Sequence, residues 1–234
     1  MFRNLEPLDR ARHAGLCYRP AADYRYAGKA VAAPLTLSEV VLASRDCPVV
    51  FSEGDEITPL ALLGLEKDQN ACVDAEGRWI GGYVPAHIRR YPFMLRRTDT
   101  PGRHVLLIDR DAPQLVENDD AAEPLFVDGE IPDAGVIARA RAFLARYEEE
   151  MRQTRALLAP LAEAGLLLSR RLTVEKDGSE RVIARGFRMV DTEALGSLDP
   201  RTAGAWLRSG LLGQVFAHLH SLRALDRLRS SSLR

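Results

Sequence analysis

Short apolar runs separated by turn residues fill the first part of the chain and predict β-strands there. Buried strands are typically apolar runs of about four to eight residues, bounded by Gly, Pro, Asn or Asp. A turn at Gly77, which can take a positive φ, is predicted to join two of the strands. The predicted strands are Pro48–Phe51, Leu60–Leu65, Asn70–Asp74, Arg78–Val84, Phe93–Arg96 and Val105–Ile108.

Two short helices are predicted among these strands. Thr36 or Ser38 can cap the first, which should run to Ser44. Pro85 suits the first position of the second, a helical turn that runs to Arg90. Pro92 should end that turn, because the residue before a proline is pushed out of the helical conformation.

After Pro132 the apolar residues recur at intervals of three and four, which predicts a long helix. Asp133 is the predicted N-cap and Leu158 the approximate end, with Pro160 either kinking the helix or opening a second one. The apolar positions of this helix are Val136, Ile137, Ala140, Phe143, Leu144 and Tyr147.

The remaining pattern predicts a hairpin followed by helices. Asp177-Gly178 is a strong turn signal, and it predicts pairing between Leu172–Lys176 and Arg181–Val190. Asp199-Pro200 should begin a helix that ends near Gly210. The last predicted helix is Leu211–Leu228.

This order of elements favours an α+β fold, because it lacks the βαβ alternation of a doubly wound sheet. We predict an antiparallel, β-rich N-terminal part over residues 1–130, packed with C-terminal helices and a late hairpin over residues 131–234. The polar segment Glu117–Glu123 is the candidate boundary. The two parts are predicted to form one compact domain.

Charge and hydropathy narrow the class of protein. With a net charge of −1, the chain has no overall field that would draw it to nucleic acid. No run reaches the roughly 18 apolar residues of a membrane span. The first ten residues carry charges where a signal peptide needs an apolar core. We therefore predict a soluble, cytoplasmic protein without a membrane span.

The stretch Arg78–Phe93 is the candidate binding region, because it places two cations among aromatic rings beside a Gly-Gly step. Guanidinium groups pair with carboxylates and phosphates and stack on rings. Adjacent arginines on a helical turn point in different directions, so at most one is expected to face a pocket. The predicted binding residues are Trp79, Tyr83, Arg89, Arg90, Tyr91 and Asp109.

Two interpretations of these arginines stay open at this point. Arg89 or Arg90 could bind an acidic group of a ligand, with Trp79 and Tyr83 as stacking walls. Alternatively, one arginine could pair with a buried carboxylate such as Asp109 and lock the strands together.

Other site chemistries receive less support from the residues. The five histidines lack the spacing of an iron or zinc site, and His218 and His220 diverge on a helix. No GxSxG elbow or phosphate-binding glycine motif occurs. The three cysteines lie far apart in sequence. We predict no metal site and no cofactor.

Several ordered motifs resemble the SapC family of bacterial proteins. The densest match is Trp79, Tyr83-Val84-Pro85 and Arg89-Arg90-Tyr91-Pro92-Phe93, followed by Ile108-Asp109. The tail His218-Leu219-His220-Ser221-Leu222 is similar to the ending of the family. His87 stands where the family pattern leads us to expect an aromatic residue.

The resemblance implies an accessory role at the cell envelope, since the family takes its name from a locus for surface-layer protein export. Relatives are also implied to be encoded near TonB-dependent receptors and flavin-dependent halogenases. The leading hypothesis is an accessory protein that binds a protein or peptide partner, linked to surface-layer or envelope transport. The alternative is an enzyme that modifies a small molecule or peptide alongside an oxygenase or halogenase system.

Overall fold

The computed structural model describes residues 1–20, 23–100, 102–176 and 179–232. The strands are β1 (Leu5–Pro7), β2 (Leu16–Tyr18), β3 (Ala32–Pro34), β4 (Val49–Ser52), β5 (Pro59–Leu62), β6 (Phe93–Arg97), β7 (His104–Asp109), β8 (Leu115–Glu117), β9 (Glu123–Pro124), β10 (Leu167–Lys176) and β11 (Ser179–Val190). The helices are α1 (Arg10–His13), α2 (Leu37–Ala43), α3 (Ala86–Arg89), α4 (Val136–Glu163), α5 (Thr192–Gly196), α6 (Pro200–Ser209), α7 (Leu211–Ser221) and α8 (Leu225–Ser232). Short 3₁₀ turns cover Arg25–Ala27 and Leu222–Ala224.

Within the described residues the strands pair antiparallel in three sheets. The largest has the order β10-β11-β4-β5-β3, and the others have the orders β1-β7-β6 and β8-β2-β9. Both strands that flank the polar segment Glu117–Glu123 pair with β2. The fold is therefore mixed α+β with antiparallel sheets in the N-terminal part, as predicted. The division at residue 130 stays a prediction.

The late hairpin also forms where the sequence predicts it. Strand β10 pairs with β11 from Leu167 opposite Val190 to Lys176 opposite Ser179, and β11 continues onto β4. The predicted turn at Asp177-Gly178 lies outside the described residues.

The core joins the central sheet to the long helices. Phe51 of β4 packs in one buried cluster with Leu158 and Leu161 of α4 and with Val215 of α7. Fully burying such a side chain contributes roughly 1.5–3 kcal/mol. Helix α4 also contacts β6 and α2, which brings its middle turns against the region of Arg78–Phe93.

Helix α4 differs from the prediction at both ends. It begins after Gly135 as N-cap, not after Asp133, and it continues through Pro160 to Glu163. An interior proline costs about 3 kcal/mol, since it removes one hydrogen bond and crowds the preceding turn. Leu158 and Leu161, on either side of Pro160, are 1% and 0% exposed. Burial of these two leucines is large enough to offset the proline.

The predicted strands Asn70–Asp74 and Arg78–Val84 are wrong, although the turn between them forms. An isolated bridge joins Val73 to Trp79, and backbone hydrogen bonds join Asp74 to Arg78 and Ile80 to Cys72, but the segments form no strand. The N–H of Gly77 donates to the carbonyl of Asp74 at 3.0 Å, and Gly77 has a φ of +83°. The Trp79 indole donates to the carbonyl of Tyr83 at 3.1 Å, which closes the glycine step between them into a loop. The backbone pairing therefore stays limited to the residues next to the turn, and a side-chain bond shapes the chain after Trp79.

Capping residues set several of the other helix ends. Thr36 and Glu39 form a capping box at the start of α2. Asp199 caps α6, and Gly210 ends it with a φ of +84°. The predicted final helix is interrupted, because α7 ends at Ser221 and a 3₁₀ turn precedes α8. None of the helices in the described ranges has both the length and the apolar character that crossing a membrane requires.

Candidate functional site

The helical turn α3 positions the two arginines. Pro85 is its N-cap and Arg90 its C-cap, and a cis Tyr91-Pro92 peptide bond follows before β6 begins. The two side chains contact different rings, as expected for neighbours on a helical turn. They nevertheless line the same pocket, so the expectation that at most one faces a pocket is wrong.

Arg89 is partly exposed and well supported. Its Nε donates to the carbonyl of Val84 at 3.0 Å, and Nη2 donates to the Tyr83 hydroxyl at 3.3 Å. The guanidinium carbon lies 5.5 Å from the ring centroid of Phe143. Its nearest carboxylate is Glu39, with Oε1 3.9 Å from Nη2. These contacts hold the guanidinium at the rim of the pocket while 44% of the side chain stays accessible.

Glu39 is a functional neighbour that the sequence interpretation missed. It is buried, and its Oε2 accepts from the Thr36 N–H and hydroxyl at 2.9 and 3.1 Å. Its Oε1 accepts from the Tyr83 hydroxyl at 2.9 Å and from the Ala86 N–H at 2.6 Å. Burial, together with this carboxylate, raises the pKa of Tyr83 to about 12. Because four donors already satisfy Glu39, it positions α3 and neutralises Arg89 only weakly.

Arg90 differs from Arg89 in its hydrogen bonding. Its Nε is buried without a hydrogen-bond partner. The guanidinium carbon lies 5.4 Å from the ring centroid of Phe2 and 5.6 Å from that of Tyr147. Across the described part of the chain, no carboxylate oxygen lies within 4.0 Å of it. Burial lowers the pKa of Arg90, and the nearby Tyr147 and Glu148 oppose that shift. An arginine stays protonated in such surroundings.

The pocket beside these arginines has a volume of about 210 Å³. A third guanidinium on its lining, that of Arg139, donates to Glu123 Oε2 and to the carbonyl of Ala134. Its pKa is raised, mainly by the hydrogen bond to Glu123. The apolar part of the lining consists of Phe93, Val136, Ala140, Phe143 and Leu144. The pocket therefore combines an apolar wall with an excess of positive charge.

The six predicted site residues separate into distinct environments. Arg89, Arg90 and Tyr91 line the 210 Å³ pocket. Tyr83 lines an adjacent cleft of about 130 Å³ together with Arg89. Trp79 lines neither, and its ring packs edge-on against Tyr24 at 5.6 Å.

Tyr91 and Asp109 serve the packing around the pocket. The Tyr91 ring stacks on Tyr26 with centroids 4.1 Å apart, and burial raises its pKa. Asp109 is fully buried, and it accepts the backbone N–H groups of Arg3 and Asn4 at 2.8 and 3.0 Å. Asp109 thus fixes the N-terminal segment and forms no ion pair with Arg89 or Arg90.

His87 adds no charge to the site. Its Nδ1 lies 3.3 Å from the Tyr147 hydroxyl. Burial and the neighbouring Arg90 lower the pKa of His87 to about 3. Burial raises the pKa of Tyr147 to about 12. Both groups are therefore neutral near pH 7, and Arg90 is the charged member of this group.

His218 and Ser221 of the family-like tail have a structural role. His218 Nδ1 donates to the carbonyl of Val49 at 2.6 Å, and its Nε2 accepts the Val190 N–H at 3.2 Å. Ser221 Oγ accepts the Val49 N–H at 2.8 Å and donates to the carbonyl of His218 at 2.6 Å. Burial lowers the pKa of His218 to about 4, partly offset by the bond to Val49. These bonds join α7 to β4 and β11.

Two larger pockets lie beside the hairpin, but the residues that line them give less reason to expect a ligand. One, of about 490 Å³, is mainly apolar and lies between β3, β5 and β11. The other, of about 560 Å³, carries Arg170, Arg171 and Arg185, all of them exposed. Exposed arginines are solvated and need no ligand. Over residues 1–20, 23–100, 102–176 and 179–232, no group of three or more His, Cys, Asp or Glu residues is arranged to hold a metal ion.

Comparison with known proteins identifies the family. The family model described as SapC matches residues 8–228 of the 234 residues, a span that contains the arginine pocket and the His218 contacts. No curated protein and no solved structure matches the chain. The match covers almost the whole sequence, and the chain therefore belongs to the SapC family.

Proposed function

We propose that this SapC-family protein is an accessory protein that binds a protein or peptide partner through an acidic group held at Arg89 and Arg90. We further propose that the partner belongs to surface-layer or envelope transport, a link supported by the family name alone. The observation that carries the binding proposal is the buried, unpaired Nε of Arg90 beside an open pocket.

The free energy of an unpaired buried cation favours a ligand. Leaving a buried donor unsatisfied costs about 1–3 kcal/mol, and more when the group is charged. Phe2 and Tyr147 offset part of that cost through cation–π contacts, which are worth roughly 0.5–2 kcal/mol. A ligand carboxylate at the terminal N–H groups of Arg90 would supply the negative charge that the described surroundings of this cation lack. Such charge-assisted bonds to arginine are among the stronger hydrogen bonds in proteins.

The size of the pocket favours a macromolecular partner over a whole small-molecule substrate. Small-molecule sites typically have volumes of about 300–1,000 Å³. The arginine pocket has about 210 Å³. It can therefore take about one residue, and most of the partner would lie outside it. This is the physical reason for preferring a partner-binding role to an enzymatic one.

The other predicted residues would act around that contact. Arg89 is the second cation of the proposed site, and Tyr83 keeps it in place through its hydroxyl. Tyr91 contributes to the pocket lining. Trp79 and Asp109 would act indirectly, by holding the loop before α3 and the N-terminal segment in position.

Selection from a soluble library of short random peptides tests this function. The wild-type protein should retain a subset of these peptides, identified by mass spectrometry, and the retained peptides should bind through a carboxylate of a side chain or of the chain end. Arg90→Gln should lower their retention about 10- to 100-fold, the effect of losing a hydrogen bond to a charged group. Arg152→Gln is the matched control, because Arg152 lies on α4 and pairs with Glu149 at the surface. Retention that is equal in all three proteins would overturn the proposal.

A further inference from the structure

We infer that the group bound at Arg89 and Arg90 is the carboxyl-terminal residue of the partner, and that this residue has an apolar side chain. The inference rests on the proposed function and specifies its ligand. It follows from two properties of the 210 Å³ pocket that act together, namely its unpaired cation and the apolar wall next to it.

A carboxyl-terminal residue carries both matching groups on one Cα. Its α-carboxylate would accept from Arg90, with Arg89 at the rim as the second donor. Its side chain would lie against Phe93, Phe143 and Leu144. Burying one such side chain contributes roughly 1.5–3 kcal/mol, which is comparable to the charged hydrogen bond. A ligand that lacked one of these two parts would lose the contribution of that part.

An internal Asp or Glu fits the same surroundings less well. Its carboxylate stands at the end of one or two methylene groups, so it would place little apolar surface on the wall. Its flanking peptide groups would also approach the apolar lining, where an unsatisfied amide is unfavourable. A chain end has no peptide group beyond its carboxylate.

The contacts of Arg90 favour a planar acceptor. Phe2 and Tyr147 each contact the guanidinium at 5.4–5.6 Å between its carbon and the ring centroid. A guanidinium donates its hydrogen bonds in its own plane and makes cation–π contacts through its faces, so contacts with rings leave its terminal N–H groups as donors. A carboxylate matches such an edge with two parallel hydrogen bonds.

Titration of the full-length protein with N-acetyl-L-phenylalanine, followed by NMR chemical shifts, tests the inference. We expect saturable shifts at residues of α3 and α4 that line the pocket. N-acetyl-L-phenylalaninamide should bind at least about tenfold more weakly, because it lacks the carboxylate. N-acetylglycine should also bind at least about tenfold more weakly, because it lacks the apolar side chain.

Variants connect the binding to the two arginines. Arg90→Gln should weaken the binding of N-acetyl-L-phenylalanine about 10- to 100-fold. Arg89→Gln should weaken it less, since Arg89 is partly exposed. Arg152→Gln should leave the affinity unchanged. Thermal unfolding of each variant checks the fold, and Arg89→Gln provides a second test if Arg90→Gln is unstable.

The outcomes separate this inference from the proposed function. Equal binding of the phenylalanine acid and its amide would overturn the inference. Tighter, Arg90-dependent binding of N-acetyl-L-aspartic acid α-amide would also overturn it, while leaving an acidic-group site intact. If none of these probes binds, the inference fails, and the peptide library alone decides the proposed function.

Discussion

Arg90 and His218 both have a buried side-chain nitrogen, and they differ in what surrounds it. Each nitrogen of the His218 ring has a backbone partner, one on β4 and one on β11. The Nε of Arg90 has none in the described part of the chain. Native proteins satisfy nearly all their buried polar groups. The satisfied ring of His218 is typical of a structural role, and the unsatisfied Nε of Arg90 is the observation on which the proposed ligand rests.

Replacing His218 by Leu should have the largest effect on stability. The change leaves the N–H of Val190 buried without its partner, and it leaves the carbonyl of Val49 with only a long contact of 3.5 Å to the Ser221 hydroxyl. Each unsatisfied group costs about 1–3 kcal/mol, so the free energy of unfolding should fall by about 4 kcal/mol. Urea denaturation measures the loss. The control is His220→Leu, at an exposed position two residues away, which should change stability by no more than about 0.5 kcal/mol. Equal losses of stability in His218→Leu and His220→Leu would contradict a structural role specific to His218.

The pH dependence of stability should also reflect the burial of His218, with a smaller change in the free energy of unfolding. The pKa of His218 is about 4 in the folded protein, below the ordinary value of 6.5, because the ring is buried. The unfolded chain therefore takes up a proton below about pH 6.5, while the folded protein does not until about pH 4. Stability conferred by this group is present above pH 6.5 and falls as the pH is lowered toward 4.

The expected loss from His218 between pH 7 and pH 4.5 is about 2 kcal/mol. Unfolding of the wild-type protein and of His218→Gln, measured at both pH values, isolates this contribution from the carboxylates. The difference in stability between the two proteins should shrink by about that amount at the lower pH. If the difference in stability did not change with pH, His218 would take up its proton equally in the folded and unfolded states, and its pKa would not be lowered by burial.

Replacing Arg90 by Met should have the smallest effect on stability, and of opposite sign. The change removes a buried donor that has no acceptor, and the thioether keeps the contact with Phe2 and Tyr147. Unfolding free energy should stay the same or rise by up to about 1 kcal/mol in urea denaturation. A loss of more than about 2 kcal/mol would show that Arg90 supports the fold as His218 does.

Local sequence patterns predicted much of the fold because local chemistry determines it. The capping residues Thr36 and Asp199, the helical turn after Pro85 and the strands β6 and β7 all follow from spacing and turn chemistry. The errors occurred where distant contacts prevailed. Core burial on both sides of Pro160 extends α4, and an indole hydrogen bond turns the Trp79 region into a loop.

The candidate site was predictable only in part, for the same reason. Arg89, Arg90 and Tyr91 lie close together in sequence, and their chemistry attracts attention directly. The residues that surround them come from distant parts of the chain. Glu39 contacts Tyr83 from 44 residues away, and Tyr147 contacts Arg90 from a helix that follows β9. The Thr36-to-Glu39 spacing signals a capping box, but it gives no hint that the carboxylate also holds α3. Such contacts depend on how helices and loops pack in three dimensions.

The fully buried carboxylate of Asp109 has a practical consequence for work on this protein. By holding the backbone of Arg3 and Asn4, it keeps the Phe2 ring against the guanidinium of Arg90. The local dielectric around that cation therefore depends on residues almost ninety positions earlier in the chain. Trimming this end, or fusing a tag to it, would admit water to the guanidinium and weaken any ion pair formed there.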